Sequence, residues 1–408
     1  MNKEKVLLFT LAAIQFTNVM DFMIMMPLGP QLMRIFDISP QQFSLVVSSY
    51  TFSAGVFVFL AAFFIDKFDR RTALLVIYVG FTVGTLACGL APTYTFLILA
   101  RVLTGVFGGI LGALVLSIVG DAIPLERRAT AMGTVMAAFS FASVIGVPFG
   151  LYLASQYDWH MPFMLLAVMG SLVAILIYNT IPTMTAHLQK QKVDANPFQF
   201  LVNISKDSNQ LKALALMVFM MMSQFSYISL LSPYMVSNVG FTEQELTYIY
   251  LLGGAVSIIS SPISGKLADK FGRAKIFTIF TLLCIIPLFL LTNLPKTEIY
   301  IVLIITTFNF VFISGRMIPG STMITATVLP QNRGSFMSIN SCVQQLGSGL
   351  AAFIAGSIVT RSPTGQIENY QYVGYLAIVS AFISIYLANQ IKAIDVKTPP
   401  IPEMTDTK

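Results

Sequence analysis

Apolar residues run along this chain in blocks of roughly twenty, separated by short polar clusters, and a block of that length spans a bilayer when wound as helix. Cutting at the polar clusters predicts spans at 6–29, 43–65, 72–91, 95–119, 130–155, 161–181, 211–236, 246–264, 276–292, 299–323, 336–359 and 370–391. Proline and glycine inside these blocks are no obstacle, because neighbouring helices re-satisfy the backbone groups they free. The expected fold class is an all-α membrane protein with twelve transmembrane helices.

Composition agrees. Of 408 residues, 56% are hydrophobic and 10% charged, against about 25% charged in soluble domains. No polar stretch is long enough to build a core of its own, which excludes a large soluble enzyme domain. The net charge of +6 does not point to nucleic acid, because the cations are sorted by membrane side. Nineteen of the 24 Lys and Arg fall in the segments that share a side with the termini, three (Arg34, Lys296, Arg361) fall opposite, and Arg101 and Arg316 lie within spans. The positive-inside rule then puts both termini in the cytoplasm of a multi-pass inner-membrane protein. Lys3 and Lys5 precede a first helix that is retained, since no small-residue cleavage site follows. Cys88, Cys284 and Cys342 sit in apolar blocks at unpaired spacings and are expected to pack, not to bind metal.

The longest internal polar stretch, 182–210, divides the spans six and six. The expected organisation is a first bundle over 1–181, a linker over 182–210, a second bundle over 211–391 and a disordered tail over 392–408. Within the linker, Phe198, Leu201 and Ile204 at helical spacing beside lysines predict a short surface helix. The halves echo each other: AFFIDKFDRR from Ala62 matches GKLADKFGRA from Gly265, and RATAMG from Arg128 matches RGSFMS from Arg333, at nearly one offset. A duplicated six-helix unit is how carriers build a central site between two rocking bundles.

GKLADKFGRAK resembles the signature between helices 2 and 3 of the major facilitator superfamily. It is intact in the second half, while Ala62 and Asp69 replace its glycines in the first. RVLTGVFGG opening span 4, PLERRATAMG after it and GVPFG in span 5 resemble the drug/sugar:proton antiporter branch, with arabinose-efflux-permease-like members. The resemblance implies the major facilitator fold, two pseudo-symmetric six-helix bundles. It also implies a conformational latch at Asp66, Arg70, Asp269 and Arg273, in which the aspartate corresponding to Asp66 caps a helix of the other bundle. The alternative is that these are solvated topology charges. Gly146, Pro148 and Gly150 match the antiporter motif, with Val147 inserted between Gly and Pro; ordinary helix packing is the alternative.

Asp21 is the one acidic residue inside an apolar block, ~22 Å along the helix from Val6. An ionised carboxylate at that depth is costly unless paired or wet, which favours protonation and suits proton coupling. Its alternative role is to help the chain leave the bilayer before Pro27 and Pro30. Arg101, which resembles the family's span-4 arginine, is the expected partner, with Gly105, Gly108 and Gly109 letting span 4 approach span 1; otherwise it snorkels to the interface. Arg316 has no embedded acidic partner in its half, so it either binds an anionic or hydroxylated substrate or is a structural cation satisfied by carbonyls. Asn18, Gln224, Tyr227, Asn309, Asn340 and Gln344 are candidate substrate-binding residues, or helix-to-helix hydrogen bonders. His160 and His187 fall in loops, so no metal site or nucleophilic triad assembles, no ATP-binding lysine motif is present, and no cofactor is expected. The expectation is a non-enzymatic, monomeric secondary transporter whose partners are a small amphipathic molecule (a drug-like compound or a sugar), protons and the bilayer, working in proton-coupled efflux. Proton-coupled uptake, or a non-transporting sensor or scaffold, are the alternatives.

Overall fold

The computed structural model describes residues 3–185, 202, 204–329 and 333–394. The expected surface helix of the linker lies mostly outside them. Twelve long helical spans make up the described residues: span 1 Lys3–Ile24, span 2 Pro40–Ala61, span 3 Arg70–Gly89, span 4 Tyr94–Ala122, span 5 Leu125–Gln156, span 6 Met161–Thr180, span 7 Ser208–Val239, span 8 Leu246–Phe271, span 9 Arg273–Thr292, span 10 Ile299–Thr325, span 11 Arg333–Ile358 and span 12 Tyr370–Gln390. They form two six-helix bundles.

Local chemistry sets the ends. Ser39 and Gln42 form a reciprocal capping box with Pro40 in the first turn of span 2, and Asp69, Thr93 and Asp207 cap spans 3, 4 and 7 through their side chains. Span 1 stops at Ile24, short of the expected residue 29: Pro27 withholds an N–H, the chain turns, and a separate helix runs over Gly29–Ile35. Span 8 runs on past 264 to Phe271, since Lys266, Asp269 and Lys270 extend the helix beyond the apolar block until Gly272, at φ 95°, ends it.

Eleven of the spans are apolar enough to cross a bilayer on composition alone. Span 11, with Asn340, Gln344, Gln345 and several serines, is the remaining one. It forms the most extensive contact between bundles, lying along span 2, and also packs on span 7. Small residues make that approach possible: a Cβ on Gly349 would meet Thr51 and Phe52, and one on Gly356 would overlap Ser44. Spans 5 and 8 make the second seam, where Gly254 receives the backbone of Ser143 and the side chain of Val144.

The two faces of the molecule differ. Toward the face opposite the termini, one hydrophobic core runs across both bundles, joining Met26, Leu28 and Leu32 to Leu231, Tyr234 and Met235. Arg34 and Glu243 pair across the bundles there, and a two-stranded hairpin, Thr360–Arg361 with Ile367–Glu368, is held by Asn238, which exchanges two 2.9 Å hydrogen bonds with Ile367. Toward the terminal face, the bundles keep separate cores, one around Leu11, Leu74 and Ile118 and one around Leu216, Phe277 and Phe336. Buried apolar contacts therefore cross between the bundles at the far face, while at the terminal face each bundle has a core of its own.

Residues 392–394, the start of the expected tail, are tied down. Asn209 exchanges hydrogen bonds of 2.7 and 2.9 Å with Lys392, and the Ile394 N–H donates to the Ala326 carbonyl at 3.0 Å.

Candidate functional site

Four spans of the first bundle converge on Asp21. Arg101 Nη1 lies 2.8 Å from Asp21 Oδ2, and the Thr85 hydroxyl donates to Oδ1 at 3.0 Å. Both charged side chains are enclosed, at 1% and 0% exposure, which ends the snorkelling alternative for Arg101. The guanidinium carbon stands 4.4 Å from the centre of the Tyr50 ring, a cation–π contact strengthened by the absence of competing water. Tyr50 donates to Asn18 Oδ1 at 3.3 Å, and Asn18 Nδ2 donates to the Gly108 carbonyl at 3.2 Å. Spans 1, 2, 3 and 4 thus share one buried polar network.

The glycines behind Arg101 serve span 2 more than span 1, contrary to expectation. A Cβ on Gly105 would fall 2.3 Å from the Tyr50 carbonyl oxygen, and one on Gly109 2.7 Å from that of Ala54; span 1 is reached only by Gly108, through Asn18. Span 4 turns its glycine stripe to span 2 because Tyr50 must come close enough to cover Arg101. Tyr50 and Thr85 were missed by sequence reasoning, since tyrosines and threonines are common in apolar spans and nothing local sets these two apart.

In the second bundle the Tyr227 hydroxyl donates to Asn309 Oδ1 at 2.8 Å, and Tyr370, likewise unforeseen, donates to the Tyr227 carbonyl at 2.6 Å. Arg316 is fully enclosed, and its Nη1 donates to the Ser223 hydroxyl at 3.0 Å. Gln224 Oε1 and Asn340 Oδ1 are buried and accept no hydrogen bond from the described residues; Gln344 is half-buried on span 11. The two networks approach each other through Phe22, next to Asp21, whose ring lies 5.5 Å from Tyr50 and 5.9 Å from Phe225 of span 7.

At the terminal face, the described contacts of Arg70 and Asp69 reach the end of span 4, the start of span 3 and the chain after span 6. The backbone of Asp66 lies in a 3₁₀ turn, Ile65–Lys67; its side chain is outside what the structure describes. Arg70 is buried and its Nε donates to Asp121 Oδ2 at 3.0 Å, at the end of span 4. Asp69, which occupies the position of a motif glycine, caps span 3 through the Thr72 N–H and also accepts from the Met184 N–H, tying the chain after span 6 to the start of span 3. Partial burial works against the Asp69 charge, but the amides of Thr72 and Met184, the Thr72 hydroxyl and the Arg71 cation outweigh it and hold the carboxyl below its usual range. Asp269 and Arg273 line a cleft of the second bundle with Met323, Ala326 and Ile391.

GVPFG begins at Gly146, the last residue of a π-turn, Ala142–Gly146, in the middle of span 5, and continues into the α-helix that follows. Pro148 removes the N–H that would bond back one turn, and the wider turn absorbs the ring, with the Val147 N–H reaching the Ala142 carbonyl. Gly146 and Gly150 face Met20 and Ile24 of span 1, while the π-turn itself presents Ser143 and Val144 to Gly254 of span 8. The motif is a three-way junction between spans 1, 5 and 8.

The Major Facilitator Superfamily model matches residues 11–195 and 213–400. The chain belongs to this superfamily. Similar proteins include the uncharacterized MFS-type transporter YhcA of Bacillus subtilis (strain 168), 25% identical across 88% of this chain and 77% of that one. The inner membrane transport protein YdhP of Escherichia coli (strain K12) is 23% identical across 88% of this chain and 90% of that one. Among solved structures, a bacterial homolog of the human lysosomal transporter Spinster, inward-facing and unoccupied, superposes with a TM-score of 0.76 at 16% identity over 96% of this chain and 98% of that one. The D-xylose-proton symporter does so with a TM-score of 0.76 at 16% identity over 96% and 99%. At these identities the structures share the fold. This facilitator is accordingly a multi-pass membrane transporter, and its two buried networks belong to the two bundles of that fold.

Proposed function

We propose that this facilitator is a proton-coupled exporter of small amphipathic molecules that works by alternating access, with Asp21 taking up and releasing the proton and Arg101 as its counter-charge. The observation that carries the reading is the Asp21–Arg101 pair, enclosed beside the seam between bundles and joined to it through Phe22. A carboxylate held by one guanidinium and one hydroxyl can exchange its cation for a proton when the helices bearing them move apart. The drive is the membrane potential and the proton gradient, ~2.3 kcal/mol per charge per 100 mV.

Export is preferred over uptake because Gly146, Pro148 and Gly150 resemble the antiporter motif of exporters. The π-turn that ends at Gly146 packs beside spans 1 and 8, so rocking of the bundles would be felt at the span bearing Asp21. Asp66 and Arg70 are assigned to the latch at the terminal face, as the family resemblance implies. The chain is taken to act as a monomer in the inner membrane with both termini in the cytoplasm, on the strength of the cation bias.

Flux through proteoliposomes under an imposed pH gradient tests the coupling. Substrate movement opposite to the proton gradient is expected; movement with it would establish uptake, and flux indifferent to pH would remove the proton altogether. Orientation has its own test: a cysteine at position 190 should resist impermeant thiol reagents in intact cells, and efficient labelling would invert the topology.

A further inference from the structure

Two arginines lie fully enclosed within the spans of the described residues, and they are compensated unequally. Arg101 faces a carboxylate. Arg316, equally enclosed at 0% exposure, has one hydrogen-bond partner among the described residues, the Ser223 hydroxyl, through Nη1. Among the described residues no protein group accepts from its Nε or its Nη2. Those two nitrogens lie on one edge of the guanidinium, where the Nε–H and one Nη2–H point the same way, and that edge is the fork that receives both oxygens of a carboxylate. By helical rise the side chain is ~26 Å from the Ile299 end of span 10 and ~14 Å from the Thr325 end, too deep to reach either interface.

We infer that Arg316 is the docking point for a carboxylate on the transported molecule. A guanidinium this far from water without a counter-ion costs several kcal/mol, and the alternative compensation, backbone carbonyls, is not present: its recorded partner is a hydroxyl. The surroundings suit a small organic acid with an apolar body. On span 7, Met220 and Met221 are buried within one turn of Ser223 and supply pliable apolar surface. Gln224 Oε1, next in the chain to Ser223, and Asn309 Nδ2, seven residues before Arg316 on span 10, likewise have no partner within the described residues, an acceptor and a donor for a hydroxyl or amide of the ligand. With the carboxylate seated, the enclosed guanidinium of Arg316 would face a carboxylate as that of Arg101 does, so the loaded carrier moves without leaving the Arg316 charge uncompensated.

This rests on the reading of the protein as a carrier of small molecules, but not on Asp21 as the coupling group. Purified full-length protein is tested by thermal unfolding with a panel of monocarboxylates (acetate, lactate, hexanoate, benzoate), each compared with its primary amide at equal ionic strength. At least one acid should raise the unfolding temperature while its amide does not. Arg316→Gln should abolish that shift, and Arg316→Lys, which keeps the charge without the fork, should bind the acid about tenfold more weakly or worse. Acid and amide acting alike throughout the panel would overturn the inference. So would an undiminished shift in Arg316→Gln or, if that variant fails to fold, unchanged affinity in Arg316→Lys. Asp21→Asn should retain carboxylate binding, so undiminished gradient-driven flux in that variant with binding intact would sink the coupling assignment and leave this one standing.

Discussion

Arg101 and Asp21, eighty residues apart in the chain, meet at 2.8 Å with neither side chain open to water. Separating such a pair by mutation leaves one buried charge alone, whereas removing both charges does not. Arg101→Met should therefore destabilise the protein by roughly 3–5 kcal/mol, and the Asp21→Asn/Arg101→Met double variant should recover a large part of that loss. Thermal unfolding of the four members of the cycle in one detergent checks this; simple additivity would mean that the pair is not coupled.

Asp21→Asn keeps the shape of the carboxyl; its one oxygen can accept from Arg101 while its Nδ2 donates to the Thr85 hydroxyl in place of the bond that Thr85 gives the carboxylate, so it should fold. Accumulation driven by a pH gradient should fall to background, while exchange of labelled for unlabelled substrate across proteoliposomes survives. Undiminished gradient-driven flux would move the coupling proton elsewhere.

Span 4 carries glycines with opposite surroundings. A Cβ on Gly105 would collide with the Tyr50 carbonyl at 2.3 Å, while one on Gly112 would meet nothing within 4 Å. Gly105→Ala should push spans 2 and 4 apart, loosen the Tyr50 cover over Arg101 and lower both stability and transport. Gly112→Ala should fold at least as well as the parent, since alanine is the better helix former by about 1 kcal/mol in water. Equal effects in melting and flux would contradict the packing described for this stripe.

At the terminal face, the Asp69 carboxyl is held below its usual range by its hydrogen bonds. A lowered folded-state value means that the stabilisation is complete above about pH 3.9, the unfolded reference, and disappears as pH falls through the lower folded value. Exchange of the Met184 amide, corrected for intrinsic rate, should accelerate over that acid range in the parent. In Asp69→Asn it should be fast and show no such step; a step of equal size in the variant would assign it to another group.

Arg34 and Glu243 link the bundles across the far face. The pair is partly exposed, so its contribution is of order 0.2–1 kcal/mol, enough to shift an opening equilibrium several-fold. Glu243→Lys should lengthen the distance between spin labels at residues 35 and 244 in a growing fraction of molecules, and the swap with Arg34→Glu should restore it. Identical distributions would make the pair a passive surface contact.

Much of this was open to a reader of the sequence alone. The bilayer imposes runs of apolar residues whose length is a local property, so the spans, the six-and-six division, the lone embedded carboxylate and the two embedded cations could all be picked out by position. Chemistry likewise pointed from Asp21 to Arg101, because a buried acid needs a cation and few were available. What surrounds them depends on how each helix is rotated and which helix lies beside it. In membrane spans the lipid-facing and buried sides are both apolar, so sequence carries little record of that rotation. Only the tertiary structure could show that the span 4 glycines face span 2, that Tyr50 and Thr85 complete the Asp21 network, and that Asp69 braces the chain after span 6. It also decided that Arg316 is met by a serine hydroxyl instead of carbonyls, leaving one edge of its guanidinium without an acceptor from the chain.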